Sequence, residues 1–330
     1  MRTGAAIDSI ATPTLWSVTI GALLVLLALD FVITRRPHEV SMREALRWSV
    51  FYIALPLAFG GFVWWRYGSS RGLEYLTGYL VEKSLSVDNL FVFMLLLAAF
   101  AVPLELQQRV LLYGIVGALI LRAVFIAIGA VALAAFDWTF LVFGLILIAT
   151  AVRVLANRLS NASNDIDVDA LRIVRLTRRF VPVTPDYQGP RLLGRVDGRR
   201  ALTPFALVVL AVLTTDVVFA VDSVPAVYGI TGDPFLVFIT NAFALLGLRA
   251  LYFVLQGALN KLVHLDYGLA VILAFIGIKL GLHWAHQRWA AVPEIPTLAS
   301  LAVITGILAT TAITSHLSTR RRSRDPAMMR

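Results

Sequence analysis

Two stretches of this chain place carboxylates where a lipid-spanning sequence should hold none. VEKSLSVDNLFVF, residues 81–93, carries Glu82, Lys83, Asp88 and Asn89 inside an otherwise apolar run from Leu76 to Phe100. TTDVVFAVDSVPAV, residues 214–227, carries Asp216 and Asp222, again six residues apart. A charged side chain at the centre of a spanning helix costs about 2.5–3.5 kcal/mol, so such residues face a bundle interior or a water-filled cavity. Eight charges sit in such runs: Glu82, Lys83, Asp88, Arg122, Asp216, Asp222, Arg249 and Lys279. Four acids against four bases could be structural ion pairs, and Arg122 and Arg249 are expected to serve partly in that way. Small residues and apolar packing can hold a membrane bundle without buried charge, so the acids are read as functional.

Six residues on an α-helix correspond to about 9 Å of rise and about 240° of rotation. Glu82 and Asp88 therefore cannot share one face of a straight helix: either the helix breaks, or the acids serve different layers. Pro225, three residues after Asp222, marks the expected backbone break, because it crowds the Val221 carbonyl and has no amide proton to donate to it. Ser86, Asn89, Thr214, Thr215 and Ser223 add oxygens nearby. Unwound backbone at membrane depth is tolerated where it lines a cavity, and its carbonyls then become ligands. Carboxylate, amide, hydroxyl and carbonyl oxygens suit magnesium, calcium or manganese(II).

Other chemistries find no residues. The chain has no cysteine, which excludes disulfides, thiolate ligands and thiol nucleophiles. His38, His264 and His316 sit in loops or at span ends, and His283 and His286 lie beside Trp284 and Trp289 in what reads as an interfacial belt. Ser84 and Ser86 have no histidine nearby in sequence, so the chain is not expected to be an enzyme.

The elements that position these residues follow from the hydropathy pattern. Of 330 residues 59% are hydrophobic and only 15% charged, and mean hydropathy is +0.81. Soluble domains carry about 25% charged residues, so this is an integral membrane protein. Runs of about 20 apolar residues span the hydrocarbon core. Nine are found, near 14–33, 47–66, 76–101, 109–135, 137–156, 202–228, 235–258, 266–285 and 297–316. The first is read as a retained span, since no small-residue cleavage site follows it. The net charge of +9 concentrates in three connections: Arg35 to Arg47, ten arginines from Arg153 to Arg200, and Arg320 to Arg330. Such loops stay cytoplasmic. The chain is thus expected to be a multi-pass plasma-membrane protein with its N-terminus outside and its C-terminus in the cytoplasm. The positive charge is orientation within the lipid bilayer, with no nucleic-acid partner.

Sliding the chain by 134 residues puts Glu82 on Asp216 and Asp88 on Asp222. In the following spans Leu121, Arg122 and Ala123 correspond to Leu248, Arg249 and Ala250 after a connection seven residues shorter. Spans three to five are read as repeating in six to eight, and an odd number of crossings per unit makes the repeat inverted. The fold class is therefore an all-α polytopic membrane protein of about nine transmembrane helices with a 3+3 inverted repeat. It divides into two N-terminal spans (1–75), a first three-helix unit (76–156), a basic linker (157–201), a second unit (202–285), and a last span with a basic tail (286–330). The linker contains a short basic amphipathic patch, LRIVRLTRRF, at 171–180.

GYLVEKSLSVDNLFVF (78–93), RVLLYGIVGALILRAVFI (109–126), TDVVFAVDSVPAV (215–227), NAFALLGLRALYF (241–253) and IGIKL (276–280) together resemble the TerC family of integral membrane proteins. That family is linked to tellurium resistance and, in several members, to manganese export. The resemblance covers roughly Leu27 to Leu280. It implies that Glu82, Asp88, Asn89, Asp216 and Asp222 match the family's acidic motifs, and that Asp30 and Lys279 match further family positions. The surrounding superfamily is similar in its two inverted three-helix units.

The expected function is export of a hard divalent cation, manganese(II) first and calcium second, by alternating access. Asp88 and Asp222 are the expected primary ligands, helped by Asn89, with Glu82 and Asp216 as second ligands or gates. Moving a dication outward opposes an inside-negative potential by about 4.6 kcal/mol per 100 mV. Entering protons would drive it, carried by the carboxylates, Lys83 or Lys279. No permanent cofactor is expected, and a homo-oligomer is compatible with the sequence. The alternatives are a non-transporting membrane scaffold that uses the basic linker, and a tellurium oxyanion resistance protein, which would call for a site richer in arginine.

Overall fold

In a computed structural model the described residues are 9–33, 42–159, 172–196, 199–255, 264–289 and 291–324. They form α1 (Pro13–Ile33), α2 (Met42–Tyr67), α3 (Ser69–Ala99), α4 (Leu104–Ala135), α5 (Thr139–Leu159) and α6 (Arg172–Phe180). A short hairpin of β1 (Leu193–Val196) and β2 (Arg199–Leu202) precedes α7 (Pro204–Tyr228), α8 (Pro234–Leu246), α9 (Leu248–Leu255), α10 (Leu265–His286) and α11 (Thr297–Arg324). The chain is an all-α polytopic membrane protein. Eight helical stretches among the described residues are long and apolar enough to cross a bilayer, α8 and α9 counting as one. The ninth expected crossing, α3, is 31 residues long and packs among the others, but Glu82, Lys83 and Asp88 make it too polar to count with them.

Local chemistry sets the helix starts. Pro204 and Pro234 occupy first-turn positions, where a missing amide proton costs nothing. Thr203 Oγ1 accepts from the Ala206 amide at 3.2 Å, and Asp233 Oδ1 accepts from the Phe235 amide at 2.9 Å. Asp233 also fastens the N-terminal segment, accepting from Ser9 Oγ and the Ile10 amide, both at 2.7 Å.

The centre of the bundle is α8, in which every residue from Phe235 to Leu246 is buried. It packs against α3 and α4, which themselves pack against α7. A helix apolar all round is a core helix, whereas α1 and α11 turn Val25, Val32, Leu298 and Ile313 outward, as lipid-facing helices do. The most extensive pairing is α5 with α10. Their backbones meet at Gly144 and Gly277: a Cβ on either would lie 2.8 Å from the other's carbonyl oxygen. Small residues permit this approach, which is a main source of helix association in lipid. Gly144→Val should force the pair apart and lower stability by about 1–3 kcal/mol. Thermal unfolding of the detergent-solubilised protein checks this, and an unshifted midpoint would refute the contact.

The connections gather on two faces. One carries the turn after α3 together with the α6 and hairpin segment, where the Tyr187 hydroxyl donates to the Phe100 carbonyl at 2.8 Å. Burial pushes the Tyr187 hydroxyl up to about 12, so it remains a donor at neutral pH. The opposite face carries Ser9 and Ile10, residues 229–233 and the α10–α11 connection. There Thr231 Oγ1 donates to Glu74 at 2.8 Å, and Glu74 also accepts from Arg71 at 2.9 Å.

Pro225 does not break the backbone as expected. Helix α7 continues through it to Tyr228, and the Gly229 amide closes the last turn on the Pro225 carbonyl at 2.9 Å. The interruption lies instead at Gly247, between α8 and α9, where the dihedrals stay helical at φ −77° and ψ −9°.

Candidate functional site

Four helices bring the centre together: α3 supplies Glu82 and Asn89, α4 Arg122, α7 Asp216, and α8 Asn241. Glu82, Arg122, Asp216 and Asn241 are wholly buried. Arg122 grips Asp216 side-on, with Nη2 to Oδ1 at 3.2 Å and Nε to Oδ2 at 3.4 Å. Its Nη1 donates to Glu82 Oε1 and, at 2.8 Å, to Asn241 Oδ1. The Asn89 amide, turned so that its NH2 donates to the Leu85 carbonyl at 3.1 Å, accepts from Arg122 Nη2 at 3.0 Å. A guanidinium has five N–H donors, and all five are taken.

The oxygens around it are less well served. Glu82 Oε2, Ser86 Oγ and Ser223 Oγ are buried with no hydrogen-bond partner. Helices α3 and α7 run antiparallel: a Cβ on Gly78 would touch Val227 at 3.3 Å. One turn further along each helix, this register brings Glu82 level with Ser223 and Asp222, and it sets Asp88 level with Asp216. The backbone positions of the acids thus fall at two levels about 9 Å apart along the helix axes, while the Glu82 and Asp216 side chains converge on Arg122.

This arrangement sorts the residues singled out in the sequence. Glu82, Asn89, Asp216 and Arg122 meet at one point. Asp222 is partly exposed, forms no ion pair with a described residue, and lies within electrostatic reach of both Glu82 and Arg122. The backbone of Asp88 lies in α3, and its side chain is not among those described. The register sets the Asp88 and Asp222 backbones at different levels, and the expected ligand pair of these two side chains lies outside the described residues.

The remaining bases go elsewhere. Lys83 reaches the interruption in the seventh span, where a Cβ on Gly247 would lie 2.8 Å from its Nζ. Arg249 pairs with Asp30, and its Nη1 donates to Gln108 Oε1 at 3.3 Å. The Tyr52 hydroxyl donates to Asp30 at 3.4 Å. This second centre joins α1, α2, α4 and the start of α9, nearer the face that bears the hairpin. Lys279 lines a cavity of about 720 Å³ on the opposite face, with Ser69, Thr231, His283 and Glu294. Arg122 and Arg249 thus pair with carboxylates, and neither lysine forms an ion pair with a described residue.

Several participants escaped sequence reading. Asn241 and Gln108 carry no charge, so they do not stand out in a hydropathy scan, though an amide inside an apolar span is a detectable signal. Asp30 belongs with the intramembrane charges. Its inclusion makes five acids, Asp30, Glu82, Asp88, Asp216 and Asp222, against four bases, Lys83, Arg122, Arg249 and Lys279, a net of −1 when all are ionised. The histidines of the H-x-x-H pair take separate partners: His283 Nδ1 lies 2.5 Å from Glu294, and His286 Nδ1 donates to the Val292 carbonyl at 2.6 Å. They fasten the α10–α11 connection.

Comparison with known proteins agrees with the motifs that build this site. The model of the integral membrane protein TerC family matches residues 67–323, a stretch from the end of α2 through α11. This chain belongs to the TerC family. The TerC protein described here is 41% identical over 313 residues to "Uncharacterized membrane protein STKORF319" of Myxococcus xanthus, covering 94% of this chain and 95% of that one. It is 39% identical over 317 residues to "Putative membrane-bound redox modulator Alx" of Escherichia coli K12, covering 93% and 95%. It is 40% identical over 330 residues to "Uncharacterized membrane protein Mb2742" of Mycobacterium bovis, covering 96% and 82%. No solved structure matches this TerC chain.

Proposed function

We propose that this TerC protein is a secondary transporter that exports a hard divalent cation, manganese(II) first and calcium second, across the plasma membrane by alternating access. One observation carries the reading. Arg122 is saturated by five acceptors, while Glu82 Oε2 and Ser223 Oγ are left buried and unpaired at the level of Asp222, and Ser86 Oγ likewise one turn further along α3. A structural ion pair has no use for spare buried oxygens, each costly when unmet. A dehydrating cation does, and an all-oxygen set of carboxylates and hydroxyls suits manganese or calcium.

In this reading Arg122 holds Glu82 and Asp216 as a tethered cation while the site waits for its cargo. Asp222, Glu82 Oε2 and the two serine hydroxyls receive the ion, and Asp88 with Asn89 and Asp216 forms the next layer. The Asp30–Arg249 centre guards the cytoplasmic approach, and the cavity beside Lys279 is the way out. This assumes that the arginine-rich face is cytoplasmic, as its charge favours. The fully ionised set of −1 becomes +1 when a dication binds, so release of a proton on binding restores balance and couples export to proton entry. No enzymatic step is needed. The redox role in the relatives' name has no thiol to act through in a chain without cysteine.

Reconstitution in liposomes tests coupling. Manganese(II) flux should rise when a pH gradient is imposed in the direction that drives protons the other way. Equal flux with and without the gradient would remove proton coupling from the account.

A further inference from the structure

The linker between α5 and α7 carries a feature that transport does not use. In the hairpin, Arg195 stands directly across from Arg200 in register. Like charges opposite one another on antiparallel strands are destabilising unless an anion lies between them. Alternation along the strands puts Leu193, Arg195 and Arg200 on the outward face, while Ala201 and Gly194 turn inward, Gly194 against Thr184 and Gln188. Arg191, Arg195 and Arg200 all line one groove of about 580 Å³ with Gln188. All three arginines are exposed, and none forms an ion pair with a described carboxylate.

The groove is fixed in place at the helix ends. The Thr184 amide donates to the Leu202 carbonyl at 2.8 Å, and the Leu202 amide to the Pro182 carbonyl at 2.9 Å. Thr203 Oγ1, the cap of α7, donates to the Arg191 carbonyl at 2.5 Å, and Tyr187 is bonded to the end of α3. The hairpin is therefore held within a residue or two of spanning helices, at headgroup height. Around it the basic segment exposes apolar side chains: Leu193 is 59% exposed, and on α6, which leads into the paired segment, Leu176 is 53% and Phe180 74% exposed. Arginines beside outward apolar side chains, at the end of a span, form the pattern of a surface that lies in an anionic leaflet.

We infer that this hairpin face is a docking site for the anionic phospholipids of the protein's own bilayer, with Arg191, Arg195 and Arg200 holding a headgroup phosphate and Leu193 entering the acyl region. The bound phosphate relieves the Arg195–Arg200 repulsion, and the site is independent of which cargo crosses the bundle.

The full-length chain in mild detergent, mixed with phosphatidylglycerol or phosphatidylcholine and examined by native mass spectrometry, tests this. Phosphatidylglycerol should be retained in preference to phosphatidylcholine. The variant Arg191→Gln, Arg195→Gln, Arg200→Gln should lose that preference by roughly 100-fold. Replacing the same three with lysine should keep most of it, with helicity by circular dichroism unchanged in both. Arg66→Gln, at the far end of α2, should leave retention as in wild type. Retention by the glutamine variant equal to wild type would overturn the proposal. So would tight binding of inorganic phosphate without lipid preference, which would make the groove a site for a soluble anion.

Discussion

Arg122→Gln is expected to be the most damaging single substitution in the chain. It strands Glu82 and Asp216, both wholly buried, without a counter-charge, and it leaves the Asn89 and Asn241 carbonyl groups short of donors. Breaking a buried pair by removing one partner destabilises by about 3–5 kcal/mol, a large part of what holds a domain together. The protein should express poorly and unfold at a clearly lower temperature in detergent. Removing one stranded charge as well, in Arg122→Gln with Glu82→Gln, should recover part of the loss, since contacting residues are not additive. A double variant worse than the single one would mean that Glu82 is stabilised by something other than Arg122.

Asp222→Asn is expected to separate function from fold. The carboxylate is partly exposed and forms no ion pair with a described residue, so the isosteric amide removes charge while sparing the packing of α7. Stability should change much less than in Arg122→Gln, because no described counter-charge is stranded. Manganese(II) transport should fall by about 100-fold or more, because even outer-shell partners of a metal cost about 10–100-fold when removed. Asp216→Asn should behave differently and lower transport and stability together, because Asp216 takes two of the five bonds from Arg122. The contrast between the two aspartates identifies which layer meets the ion.

Much of this was legible in the residues. Apolar run length found the helices, with ends up to about eight residues beyond the apolar runs, and the cost of intramembrane charge picked out Glu82, Arg122, Asp216 and Arg249, which the fold does bury. Pairing could not be read in the same way. Glu82 and Arg122 are forty residues apart, and Arg249 and Asp30 more than two hundred, so no local pattern links them. The six-residue spacing correctly required either a break or two layers. It could not choose between them, because the choice rests on the antiparallel register of α3 and α7. Pro225 misled because the packed helix runs on through it to Tyr228, while the true interruption falls at Gly247, where a Cβ would crowd Lys83 Nζ and, at 3.3 Å, Tyr52 Cβ. The hairpin was hidden inside a polar, arginine-rich segment with no strand-like apolar alternation.

The deciding question is whether the bundle moves a cation through the Asp222 layer. The direct measurement is manganese(II) flux into liposomes holding purified wild-type protein, beside Asp222→Asn of equal folded content. The account predicts flux in wild type and its loss in the variant. Equal flux in both would place the pathway elsewhere, and no flux for manganese or calcium in folded, correctly inserted wild type would contradict transport and leave the arginine-rich linker as the functional part.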